Sequence, residues 1–302
     1  MNQLQLEELL SGKFGKAQSN IVLKEFTTLN IGGPADVLIE PSEEEQIINL
    51  VQYCKENKIE LTVIGKGSNI IIRDKGIRGV VLLLSKEFDE ILVKGNEITA
   101  QSGAALRDVS IKSFGNSLTG MEAVSGIPGS IGGAIIMNAG AYGTEMKDIV
   151  KSVRLLDSEG NVHEYSNEEM DFSYRSSIAS KEGQIVLSTT FSLKEGDKEE
   201  IYSSFEDFDY KRSSKQPLDS FSAGSTFKRP EGHFASKLID DSGLRGFTVG
   251  DAMVSEKHCG FLINKNNSTC ENYLKLISEV QRIVYEKYNI KLEREVKLIG
   301  EE

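Results

Sequence analysis

Apolar positions along the chain follow two periods, and the places where the period changes mark its organisation. Leu4, Leu6, Leu9 and Leu10 predict a short amphipathic N-terminal helix. VLIE at 37–40 reads as a strand ended by Pro41, and Ser42 with Glu45 has the S-x-x-E spacing of a capping box. Ile47, Ile48, Val51 and Cys54 share a helical face, so a helix is expected from there to about Asn57; LTVI at 61–64 then completes a βαβ unit. III at 70–72 and VVLLL at 80–84 follow as short strands. From about Phe88 to Leu193 strands dominate, at 91–93, 97–101, 152–157, 161–165 and 184–193, with a helix at about 104–114. The charged run KEGDKEE at 194–200 is the expected domain boundary. Beyond it, IYSSFEDFDYKR suggests a helix, and FASKLIDDSG at 234–243 a short helix stopped by Gly243. Residues 270–288 predict a longer helix with Thr269 as N-cap and Leu274, Ile277, Val280, Ile283 and Val284 on its apolar face. KLEREVKLIG closes the chain as a strand. The mixture is α+β, with domains at 22–196 (subdomains of about 22–87 and 88–196) and 197–302.

One segment breaks both periods. Ala123 to Thr144, AVSGIPGSIGGAIIMNAGAYGT, holds 22 residues without a formal charge, six of them glycines. Its apolar length would suit a membrane span, but the glycines and Pro128 make a poor continuous helix. Gly126, Gly129, Gly132 and Gly133 carry no Cβ, so a ligand could rest on main-chain N–H groups, and successive N–H groups form anion-binding concavities. The segment therefore reads as a diphosphate cradle for a dinucleotide, or as a glycine-rich turn between buried strands. A second loop, GKGSN at 65–69, follows a predicted strand. It is not a Rossmann fingerprint, because Ile70 stands where the third glycine belongs, and it lacks the ending of a Walker A loop. Ser68 and Asn69 add side-chain donors. Together the two loops suggest a dinucleotide held from different subdomains.

Composition narrows the classes. A net charge of −11 over 302 residues speaks against a nucleic-acid-binding surface, although local dipoles and a few cations can still bind an anionic nucleotide. Cys54, Cys259 and Cys270 form no CxxC pair, and His163, His233 and His258 have no ligand spacing, so no disulfide framework or metal site is expected. The N-terminus lacks the basic and apolar regions of a signal peptide, and no stretch reads as a membrane helix; a cytoplasmic protein is expected.

Six blocks occur in order: TTLNIGGPAD (27–36), GKGSNIIIRDKGIRG (65–79), GIPGSIGGAIIMNAGAYG (126–143), FSYRSS (172–177), SAGSTFKRP (222–230) and LEREVKLIG (292–300). In them the chain resembles the UDP-N-acetylenolpyruvoylglucosamine reductase family, from about Phe26 to the end. The resemblance implies an FAD domain of the vanillyl-alcohol-oxidase type followed by a substrate-binding domain, and a role in peptidoglycan precursor synthesis. It implies non-covalent FAD, NADPH as co-substrate, and UDP-N-acetylglucosamine enolpyruvate as substrate. The sequence has no room for the tyrosine-bearing insert of the family's longer form, so it resembles the shorter form.

The chemistry this resemblance implies is hydride addition from flavin N5 to C3 of a vinyl ether, which pushes charge onto C2 and its carboxylate. Such a site needs a cation or donors at the carboxylate and a proton source over C2. By resemblance, Arg175 meets the carboxylate with its fixed fork, Ser225 is the proton donor, and Glu295 hydrogen-bonds the developing enolate or helps to polarise the carboxylate. The resemblance places Lys215 near the substrate diphosphate and Tyr174 in the pocket wall. Arg229 stands where the better-known form has asparagine, and Asn264 is a further substrate-side candidate. For the flavin it implies Thr28, Gly65, Lys66, Gly67, Ser68, Asn69, Gly126, Pro128, Gly129, Ser130, Gly132, Gly133, Asn138, Ala139 and Gly140. Two other classes compete: an FAD oxidase of the same fold that uses O₂, and a flavin-binding regulator. The Arg175, Ser225 and Glu295 set disfavours the oxidase.

Overall fold

The computed structural model describes Met1–Glu302. It divides into two compact units, each discontinuous in sequence: Met1–Ser19, Val37–Lys66 and Gly79–Arg212 form the first, and Asn20–Asp36, Gly67–Arg78 and Ser213–Glu302 the second. This partition differs from a cut at residue 196. The charged run does not end a unit; it opens the Lys198–Lys215 helix, most of which stays with the first unit. The segment near residue 70 joins the C-terminal part by strand pairing with Lys297–Ile299, and that near residue 30 by hydrogen bonds with Asn264 and Ser222, contacts that local composition cannot signal.

The first unit contains a five-stranded antiparallel sheet. Its order is Val162–Ser166, Val150–Leu156, Ile185–Ser192, Glu97–Gln101 and Ile91–Lys94. The helix Leu106–Gly115 and a short helix Ile131–Ile136 accompany it, sharing a core that includes Ile98, Val109, Phe114, Ile131, Ile135, Val153 and Phe191. A second core gathers Phe14, Val37, Ile39, Ile47, Leu50, Val80 and Leu82. Here the helix Glu44–Glu56 buries Ile47, Val51 and Cys54 as expected, with Leu50 fully buried beside them and Ile48 only partly buried. Its start differs from the expected capping box: Glu43 is the N-cap without a side-chain bond, and the Ser42 N–H instead donates to Gln46 Oε1 at 2.9 Å. The βαβ unit also gains a guest. Strand order runs Lys16–Val22, Pro34–Glu40, Ile77–Leu83, Leu61–Ile64, so the later strand sits between the two that flank the helix. Leu61–Ile64 pairs in parallel with Val80–Leu83.

The second unit is built on the four-stranded antiparallel sheet Phe221–Ser225, Phe261–Asn264, Ala252–Val254, Thr248–Val249. The helix Cys270–Tyr288 packs on it through Tyr273, Leu276, Ile277, Val280 and Val284, so its buried face lies slightly N-terminal to the expected one, and Leu274 and Ile283 are only partly buried. Thr269 caps it by accepting from the Asn272 N–H, an interaction worth about 1 kcal/mol. Asp74 adds two acceptors, to the N–H groups of Cys270 and Glu271 at 2.8 and 3.1 Å. The short helix Ala235–Asp241 ends as expected, with the Gly243 N–H donating to the Asp240 carbonyl. The C-terminal strand is brief: Lys297–Ile299 pairs in parallel with Ile70–Ile72. No helix is long and apolar enough to cross a membrane.

Candidate active site

In the second unit one backbone network carries four of the singled-out elements. Strand Phe221–Ser225 pairs with Phe261–Asn264, and its register slips between Ser222 and Ser225. The slip is a bulge around Gly224, whose φ of +74° suits a residue without Cβ. A bulge re-aims the next side chain, and Ser225 is exposed. Thr226 beside it is fully buried and anchored on three sides: its N–H donates to Gly260, its Oγ1 accepts from the Leu262 N–H at 3.3 Å, and its carbonyl accepts from the Glu295 N–H at 2.9 Å. Phe227 and Arg294 form the adjoining antiparallel bridge. The structure therefore brings Ser225 and Glu295 onto neighbouring, hydrogen-bonded segments. Two residues on, the Lys297 N–H donates to the Asn69 carbonyl at 3.0 Å, which joins the end of the GKGSN loop to the same network. Thr28 closes it. Its hydroxyl donates to the Ser222 carbonyl at 2.7 Å and its N–H to the Gly67 carbonyl at 3.2 Å. Gly67 has φ +61°, and a Cβ there would strike the Phe26 carbonyl and stand 2.8 Å from Thr27 Cα.

Arg175 belongs to the first unit. It sits at the tip of a tight hairpin in which Ser173 and Ser176 exchange both backbone hydrogen bonds, at 3.0 and 3.1 Å. Its φ of +58° is left-handed, a conformation that costs a side-chain-bearing residue about 1–2 kcal/mol. Strain of that kind at a charged, partly exposed position is a pointer to function. Its guanidinium lies 5.1 Å from the exposed Tyr174 ring. Glu145 is near enough for the two charges to interact: the hydrogen-bonded Lys147 ammonium chiefly holds the Glu145 carboxyl below its ordinary range, with the Asn138 amide and Arg175 acting in the same direction against burial.

The structure gives several of these residues a packing role. Asn138 has no exposed surface, and its side-chain amide bonds to Glu145 Oε2 (3.0 Å), the Ser173 carbonyl (3.2 Å) and the Lys147 N–H (3.0 Å). Asn264 is likewise buried, donating to the carbonyls of Leu29 and Asn30 and accepting from the N–H groups of Asn266 and Ser268, so it clamps those segments together. The N–H groups of Gly132 and Gly133 bond within the chain. Residues 131–136 form a helix, whose cap Ser130 is buried and accepts from Gly133, while the Gly132 N–H donates to the Ser102 carbonyl at 2.9 Å. Those glycines serve close packing: a Cβ on Gly132 would stand 3.0 Å from Ser102 Cβ. Gly129 is buried as well. Arg229 is exposed, with its guanidinium 4.1 Å from the Phe234 ring centre, and Lys215 lies exposed at the end of its helix.

What remains open on the first unit still suits an anionic dinucleotide. Lys66, Pro128 and Gly133 are exposed, and Gly65, Gly126, Ala139 and Gly140 half-exposed. A Cβ on Gly65 would collide with Ser130 Oγ, so the loop can pass there only as bare backbone. Arg212, absent from the sequence-based set, has Nη1 3.0 Å from where a Gly126 Cβ would stand. Burial pushes its pKa below the ordinary value, yet a guanidinium keeps its charge. Its approach to Gly126 joins positions 86 residues apart (212 − 126), beyond any local signal. Bare backbone beside a half-buried cation fits a diphosphate.

A family model described as FAD binding domain matches residues 35–166, and one described as UDP-N-acetylenolpyruvoylglucosamine reductase, C-terminal domain, matches residues 216–299. The chain is 51% identical over 280 residues to the UDP-N-acetylenolpyruvoylglucosamine reductase of Clostridioides difficile (strain 630), covering 93% of this chain and 92% of that one. The protein of that name from Caldanaerobacter subterraneus subsp. tengcongensis is 48% identical over 296 residues, covering 98% and 97%. Among solved structures, the UDP-N-acetylenolpyruvylglucosamine reductase of Thermus caldophilus superimposes with a TM-score of 0.80 at 34% identity, covering 92% of this chain and 97% of that one.

Proposed function

The chain belongs to the UDP-N-acetylenolpyruvoylglucosamine reductase family, and on that premise we propose how its residues divide the reaction. It is an FAD-dependent oxidoreductase that reduces UDP-N-acetylglucosamine enolpyruvate to UDP-N-acetylmuramate, a precursor of peptidoglycan. The observation that carries this conclusion is near-full-length relatedness at about half identity. When bound, FAD supplies a hydride to C3 of the enolpyruvyl group, and NADPH replenishes it. Lys66 and Arg212, beside the bare backbone of Gly65 and Gly126, would hold its diphosphate, Ala139 and Gly140 would border it, and Thr28, Gly67, Ser68 and Asn69 would also contact it.

Arg175 pairs with the substrate carboxylate as charge accumulates on C2. Its left-handed backbone keeps the guanidinium at a hairpin tip, and two parallel N–H donors match the two carboxylate oxygens. Ser225, turned outward by the Gly224 bulge, delivers the proton to C2. A serine is a weak acid, so a neighbour must steady the alkoxide it leaves. Glu295, whose N–H donates to the carbonyl of the residue after Ser225, donates a hydrogen bond to the developing enolate from its protonated, carboxylic-acid form. Lys215 meets the substrate diphosphate, and Tyr174 and Arg229 line its path. The three cysteines are buried and unbridged, with thiol pKa values pushed up to about 12 for Cys54 and about 11 for Cys259 and Cys270, chiefly by burial. Inert thiols of this kind support a reducing, cytoplasmic setting.

The test is optical. The purified protein should be yellow, bleach with NADPH under anaerobic conditions, and recolour when UDP-N-acetylglucosamine enolpyruvate is added. Bleaching without recolouring would point to a flavin-binding regulator. Recolouring only with O₂ would point to an oxidase.

A further inference from the structure

Asn138 was expected at the flavin, and its burial asks what else a fully enclosed amide does there. Its two donors go to acceptor-only groups, the Glu145 carboxylate and the Ser173 carbonyl, and its oxygen takes the Lys147 N–H, so chemistry alone fixes which way the amide faces. Ser173 is the first residue of the two-bond hairpin whose tip is Arg175. A second tie lies on the other strand of that hairpin, where Ser177 Oγ donates to the Ile136 carbonyl at 3.2 Å. Both ties start from the end of the Ile131–Ile136 helix and its following residues, so the strained hairpin is held from one rigid element at both feet. Asn138 itself has φ +40°, a conformation asparagine tolerates better than most residues. The same amide fixes Glu145, whose carboxylate, braced by Lys147 at 2.8 Å, acts on the Arg175 charge.

We propose that Asn138 is a positioning residue for Arg175: it locks the left-handed hairpin to the end of the glycine-rich helix, and sets the guanidinium for the substrate carboxylate without touching flavin or substrate. This deepens, and rests on, the assignment of Arg175 to the carboxylate. A displacement of about 1 Å in a positioned group can cost about 100-fold in rate. The effect should therefore fall on one half of the reaction only.

Asn138→Asp keeps the shape but replaces both donors with acceptors. The holoenzyme should retain its FAD content and its rate of flavin reduction by NADPH to within about twofold, while reoxidation by substrate slows about 10- to 100-fold. Arg175→Lys should slow reoxidation as well. The double variant should then be no slower than Arg175→Lys alone, because a misplaced partner adds nothing once the fork is gone. Should Asn138→Asp not accumulate as folded holoenzyme, Asn138→Ala, which introduces no charge, is read against the same three measurements. Loss of FAD or equal slowing of both half-reactions would make Asn138 a cofactor or purely structural residue, and losses that multiply in the double variant would make it independent of Arg175; either overturns the proposal. An impaired Arg175→Lys beside an unimpaired Asn138→Asp sinks this proposal alone. An unimpaired Arg175→Lys sinks the assignment of Arg175 and this proposal with it.

Discussion

Replacing Arg175 by glycine separates fold from function at a single position. The residue has φ +58° at the tip of the Ser173–Ser176 hairpin. Relieving that conformation returns about 1–2 kcal/mol. Three losses oppose it: the extra freedom of glycine in the unfolded chain, about 0.5–1 kcal/mol, the exposed contact of the guanidinium with Tyr174, about 0.5–1 kcal/mol, and the charge interaction with Glu145, about 0–1 kcal/mol. The balance lies within about 2 kcal/mol of zero, which in a chain of this size moves Tm by about 4–8 °C at most. The catalytic effect should be far larger. Removing a preorganised partner of developing charge costs about 100- to 1,000-fold in rate, or about 2.7–4 kcal/mol. Thermal scanning of the holoenzyme and anaerobic stopped-flow of each half-reaction measure the two quantities. Arg175→Gly should fold like the parent, take NADPH electrons at the parent's rate, and reoxidise with substrate at least 100 times more slowly. A fall in Tm beyond about 8 °C would show that the hairpin needs the arginine for its own stability. Normal reoxidation would show that the strained conformation serves something other than the carboxylate.

Other consequences can be checked independently. Ser225→Ala should leave flavin reduction by NADPH near the parent rate and slow reoxidation by substrate about 100-fold or more; equal losses in both would indicate a structural serine. Gly67→Ala and Gly95→Ala compare two glycines of similar backbone, φ +61° and +59°, of which only the first would drive a Cβ into a carbonyl. Both should lower Tm through the left-handed backbone, Gly67→Ala further and with weakened FAD retention; equal drops would mean that the Phe26 contact is not tight. Asp157 accepts from the Asn161 N–H first among several donors, and these bring its pKa from 3.8 to about 2. Its native pKa lies below the unfolded one, so its contribution is complete above about pH 4 and fades as pH falls through 3.8 towards about 2. Melts at pH 5 to 2 should show the parent's advantage over Asp157→Asn shrinking across that window; a constant gap would refute the assignment.

Much of this molecule was local enough to read along the chain. The helix at 270–288, its Thr269 cap, the Gly243 stop, and the short strands at 61–64, 70–72 and 97–101 depend on periodicity, capping and turn chemistry, which act over a few residues. The family was legible too, because six short blocks in order constrain the chain far more than any glycine loop alone. Other matters were decided only by tertiary contact. Ile77–Leu83 inserts beside Leu61–Ile64, and Lys297–Ile299 pairs with Ile70–Ile72; both are matched through backbone groups that every residue carries, so composition holds no trace of them. The asparagines show the limit most plainly. In sequence, Asn138 and Asn264 look like ligand contacts, since an amide bonds equally well to a cofactor or to the chain. Only the fold shows that their side-chain bonds are met from within, by three partners for Asn138 and four for Asn264, as burial requires, because an unmet one there costs about 1–3 kcal/mol.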